Sequence, residues 1–109
     1  MLFRSPTIHR EAVTGNTTWT DDTKTVLGVT TLAGNLTITL GDLATDFETD
    51  VEVTVKDETG TANGTDKIIT VAPSGSGTID GEAAGVSLTT AYEALTIYSV
   101  KASDKWFIR

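Results

Sequence analysis

Apolar and polar residues alternate along most of this chain. Leu36, Ile38 and Leu40 alternate with Thr37 and Thr39, and Val51, Val53 and Val55 alternate with Glu52, Thr54 and Lys56. A period of two sends one set to a buried face and the other toward water, so both segments are expected to be half-buried strands. Ile68 to Val71 and Leu95 to Val100 are denser in apolar residues, as strands covered on both faces would be. Thr17 to Thr20, Thr25 to Thr31 and Val86 to Leu88 are shorter candidates, and Lys105 to Ile108 reads as a last strand. Between the runs lie turn formers: Ala33-Gly34-Asn35, Gly41-Asp42, Thr59-Gly60, Asn63-Gly64, Ser74-Gly75-Ser76-Gly77 and Asp80-Gly81. Only residues 43–50 or 91–94 could hold a helical turn, and neither is long enough for a helix that stands alone. Regularly spaced strands and turns predict an all-β fold, a compact β-sandwich or barrel-like domain. No internal repeat stands out, and no domain boundary interrupts residues 17–109. Residues 1–16 read as an extended N-terminal arm.

Composition sharpens this picture. Of the 109 residues 22 are threonine, a residue suited to a pleated, half-buried surface. There is no cysteine, which excludes disulfides, cysteine-based zinc sites and thiol nucleophiles. Stability must then come from packing or from partner subunits. The formal net charge of -7 argues against a nucleic-acid partner, which would call for clustered Lys and Arg. Charge is unevenly spread: Asp42 to Glu58 carries seven acidic residues and one lysine, whereas the first ten residues hold Arg4, His9 and Arg10 and no acid. That asymmetry allows either a solvated acidic face or a basic arm that grips something acidic. Neither a secretory leader nor a run of apolar residues long enough for a membrane span is visible, so synthesis in a cytoplasm and no membrane partner are expected.

Candidate chemistry is sparse. His9, the single histidine, lies in the arm, away from any scaffold that could hold a catalytic imidazole. The glycines near Gly60 and Gly64 lead into Thr65-Asp66-Lys67, not a phosphate-cradling loop, and Ser74 to Gly77 does not fit a nucleophile elbow. Asp57-Glu58-Thr59-Gly60 and Asp80-Gly81-Glu82 offer oxygen ligands for calcium, but an aspartate capping its own turn explains each better. Three Asn-x-Thr triplets, at Asn16, Asn35 and Asn63, formally match glycosylation acceptors and are expected by chance in so threonine-rich a chain. Trp19, Tyr92, Tyr98 and Trp106 could form a sugar-stacking platform, although tryptophans in small β domains more often anchor a core or an interface. The reading is therefore non-enzymatic, with no cofactor or metal.

One resemblance adds to it. Val53 to Gly60 forms a strand entering an Asp-x-x-Gly turn, followed by Ile68-Ile69-Thr70-Val71-Ala72-Pro73, Thr78-Ile79-Asp80-Gly81, Leu95 to Ser99 and a terminal Trp106-Phe107-Ile108. With Thr25 to Val29 and Leu36 to Leu40 before it, this order resembles small β-rich virion proteins of tailed bacteriophages: capsid decoration, head-fibre and fibre-tip domains. The resemblance spans roughly residues 17 to 109. Leu40-Gly41 replaces the usual Leu-Pro, and Ser103-Asp104-Lys105 the usual Gly-Thr-Asn; both lie in turns.

What the resemblance implies is an intertwined homotrimer without catalysis, resident on a virion. The leading expectation is a capsid decoration (cement) or head-fibre protein that binds the major capsid protein on the outer capsid surface. Leu2, Phe3, Arg4, Ile8, His9 and Arg10 are the expected capsid-binding residues. Val53, Val55, Ile69, Val71, Leu95, Ile97 and Trp106 are the expected core or trimer-seam residues. The alternative is a receptor- or glycan-binding module at a tail-fibre tip, with a host surface glycan as partner; a tail-tube or baseplate component is a third reading.

Overall fold

The computed structural model describes residues 9–23 and 25–109. Ten strands account for nearly all regular structure: β1 (His9–Val13), β2 (Thr17–Trp19), β3 (Thr25–Val29), β4 (Leu36–Leu40), β5 (Glu52–Asp57), β6 (Ile69–Ala72), β7 (Thr78–Ile79), β8 (Val86–Leu88), β9 (Ala94–Val100) and β10 (Lys105–Ile108). The all-β class expected from the alternation is what the chain adopts. In β4 and β5 every second side chain is buried, as the period of two requires. β6 follows the same alternation, and β9 buries only Ile97 and Ser99. Neither is covered on both faces, so the density of apolar residues overstated their burial. The segment after β4 makes a turn held by Asp42 and Asp46, and the one short helical piece described is a 3₁₀ turn at Lys101–Ser103.

The strands form two mixed sheets, one ordered β1-β3-β5-β9-β10-β7 and the other β2-β4-β6-β8. From β1 to β6, successive strands fall alternately in the first and the second sheet. The backbone therefore winds as a coil, and each strand pairs in parallel with the one laid down a full turn earlier: β1 with β3, β3 with β5, β2 with β4, β4 with β6. Antiparallel pairing enters only at the far end, where β8 joins β6, and β9 joins both β5 and β10.

Asparagines mark the corners of this coil. Asn16, just before β2, accepts a hydrogen bond from the Thr37 amide at 2.8 Å, and Asn35, just before β4, accepts one from the Ile68 amide at 3.0 Å. The β2–β4 and β4–β6 registers put each asparagine opposite the residue it bonds. Gly15-Asn16-Thr17-Thr18 and Gly34-Asn35-Leu36-Thr37 are thus equivalent pieces of successive turns, a short repeat that the unequal spacing between turns hides in the sequence.

Both sheets contribute to one core. Val53, Val55, Ile69, Val71, Ile97 and Trp106 are buried in it, and Leu95 packs half-buried against it. At its centre Trp19, Phe47 and Trp106 meet with ring centroids 5.4 to 6.4 Å apart. Three rings in offset and edge contact bury more apolar area than any aliphatic trio of this core could.

Candidate functional site

The first turn of the coil carries the basic residues of the arm. His9 and Arg10 belong to β1, the outermost strand of the six-stranded sheet, and β2 is the outermost strand of the other. Among the described residues no strand lies beyond either, so both present free backbone N–H and C=O groups along one side. A cavity of about 250 Å³ opens beside them, lined by residues 11–19 and Leu27. Leu2, Phe3, Arg4 and Ile8 lie outside the described residues.

Both basic groups face acids of this same chain. The Arg10 guanidinium is hydrogen-bonded to both carboxylate oxygens of Glu58, through Nε at 3.1 Å and through Nη2. This pairing raises the Arg10 pKa and lowers that of Glu58. To reach Arg10, the Glu58 side chain lies across Gly28, where a Cβ would overlap the carboxylate. Gly28 pairs with Ala12 on one side and Lys56 on the other, so this one ion pair spans three parallel strands. His9 Nε2 lies 3.1 Å from Glu11 Oε1 and 3.1 Å from Asp21 Oδ2. Amide and hydroxyl hydrogen bonds from Thr23 to the other oxygen of Asp21 hold its carboxyl below the ordinary carboxylate range.

The Asp57-x-x-Gly60 turn is closed by its own aspartate, as the sequence suggests. Asp57 is fully buried. Its Oδ1 accepts the Thr59 amide at 2.9 Å, the Thr59 hydroxyl at 2.6 Å and the Gly60 amide at 3.2 Å. Its Oδ2 accepts the Ala62 and Tyr92 amides, each at 3.1 Å. Burial alone would push this carboxyl up; the Thr59 hydroxyl and the Ala62, Tyr92 and Thr59 amides more than offset it and bring it from 3.8 to about 2. Five donors from two loops leave this carboxylate engaged in structure rather than poised for a cation. Asp80, expected to cap its own turn, instead accepts the Ile108 amide of β10 at 3.0 Å, while backbone bonds between Ile79 and Glu82 close that turn. The third asparagine of the Asn-x-Thr triplets, Asn63, folds its own loop by accepting the Thr65, Asp66 and Lys67 amides.

The aromatic residues separate into two groups. Trp19 and Trp106 are buried, whereas Tyr92 is 61% and Tyr98 37% exposed. Tyr98 stacks beside Phe107 on the outward face of β9 and β10, with centroids 5.8 Å apart and the Arg109 guanidinium over the tyrosine ring. The sequence offered Glu58 only as part of an acidic turn and did not single out Gly28, Glu11 or Asp21; Glu11 shares β1 with His9, whereas only the parallel coil brings Glu58, Gly28 and Asp21 to the basic residues. No protein-family model matches the sequence, and no curated protein compared with it is detectably similar.

Proposed function

We propose that this chain is a structural protein of a tailed-bacteriophage virion, a capsid decoration or head-fibre protein that sits on the outer capsid surface as a homotrimer and catalyses nothing. The observation that carries the reading is the edge of β1, unpaired among the described residues, which is preceded in sequence by the apolar and basic residues Leu2, Phe3, Arg4 and Ile8. An open strand edge joined to such a segment suits strand addition to a capsid-protein edge, with main-chain hydrogen bonds supplying affinity and side chains supplying selectivity. The sequence resemblance over residues 17 to 109 supports the virion setting. His9 and Arg10 are already paired within the chain, so the attachment contacts reside in residues 1–8. Val53, Val55, Ile69, Val71, Ile97 and Trp106 fill the core of a single chain, so the subunit seam draws on outward aromatics, with Tyr98 and Phe107 the leading pair.

Removing residues 1–8 should abolish cosedimentation with capsid shells while sedimentation equilibrium still reports a folded trimer. Decoration of shells by the truncated chain would remove the attachment model, and a monomeric full-length chain would remove the trimer. The exposure of Tyr92 favours a second reading, a glycan-binding fibre tip. On that reading the chain binds host polysaccharide and Tyr92→Ala weakens the binding; Trp19→Ala is no test of it, because Trp19 is a core residue.

A further inference from the structure

We propose that His9, Glu11 and Asp21 form a binding site for a divalent transition-metal ion of the zinc type, which ties β1 to the turn after β2. This inference is independent of the virion reading. His9 and Glu11 stand two residues apart on β1 and so share one face of the strand. Asp21 arrives from a different segment, the turn that follows β2. One donor atom from each of the three residues lies within 4.8 Å of the other two.

Two of those separations, from His9 Nε2 to Glu11 Oε1 and to Asp21 Oδ2, are 3.1 Å. Ligands about 2.0 Å from a tetrahedral zinc are separated by about 3.3 Å, so a small rotation of the side chains seats an ion among them. Two carboxylates neutralise a dication, and the imidazole nitrogen selects zinc-type ions over calcium or magnesium, which take oxygen alone. Among the described residues the neighbouring cation, Arg10, does not compete. Arg10 alternates to the opposite face of β1, where Glu58 holds it. With three protein ligands, water fills the fourth position.

The test is calorimetric titration of the full chain with zinc chloride, followed by nitrogen NMR of its single imidazole. One saturable site is expected, with a shift of the His9 Nε2 resonance on binding. Glu11→Gln and Asp21→Asn should each weaken affinity on the order of tenfold or more, a loss that even an outer partner of a metal ligand can cause. The absence of saturable binding at millimolar zinc would overturn the proposal. So would unchanged affinity in both carboxamide variants, which would reveal a lone surface imidazole. Far-UV circular dichroism checks that each variant is folded, and the imidazole spectrum of the unaltered chain decides the matter if one is not.

Discussion

The two ends of the coil are held by different kinds of bond. At the first turn, besides the Asn16 corner, the side-chain ties are between charged groups at the surface: Arg10 with Glu58, and His9 with Glu11 and Asp21. At the far end the ties run into backbone. Asp57, fully buried, collects amides from its own turn and from Tyr92, and Gly85 lets the chain pass against the Val71 carbonyl. Exposed ion pairs lose most of their attraction to water and to the cost of ordering long side chains. A buried carboxylate that satisfies several amides has no such competitor, and its removal leaves those amides without partners. The far end should therefore be the rigid part of the molecule and the first turn the part left adaptable for assembly.

Gly85→Ala should break the far end most severely. Gly85 has φ +90, and an added Cβ would overlap the Val71 carbonyl oxygen, which is backbone and cannot swing aside. A loss of about 3 kcal/mol is expected from strain and overlap together, read as a lower denaturant midpoint. Asp57→Asn should come next, with a loss of about 2 kcal/mol, since an amide offers one acceptor where five donors converge.

The pH dependence of Asp57 sharpens the point. Its folded pKa of about 2 lies below the ordinary 3.8. Between those values the unfolded chain binds the proton and the folded chain does not. The corresponding stabilisation of about 2 kcal/mol is complete above about pH 4 and is lost as pH falls through about 2. Acid titration of the unfolding midpoint should show this loss in the native protein and a flatter profile in Asp57→Asn.

Arg10→Ala should give the smallest effect, one that shrinks further as salt is added, because both partners stand in water. If its effect matches that of Asp57→Asn, the contrast between the two ends is wrong.

The strands with regular alternation, such as β4 and β5, were legible because a half-buried face imposes a period of two. β1 was not, because only Val13 of its five residues is buried, so no apolar alternation marks it. β7, two residues long, is too short for a pattern to show. Pairing was illegible throughout: alternation tells which face a residue takes and not which strand lies beside it. That β3 neighbours β1 and β5 rather than β4, the next strand in the chain, follows only from the coil. The Asp57 turn could be read in advance because its donors are mostly a few residues away, whereas Asp21 and Glu58, which reach His9 and Arg10 from other segments, could not.

The position of β9 has a bearing on how the molecule is made. β9 lies between β5 and β10, so the middle of the six-stranded sheet is supplied by a segment that leaves the ribosome after β1 to β8. Domains take shape from the N-terminus as synthesis proceeds, and until residues 94–108 emerge β5 stands as a bare edge. Trp106 then closes against Trp19, which makes tryptophan emission a timer for the closure of this sheet.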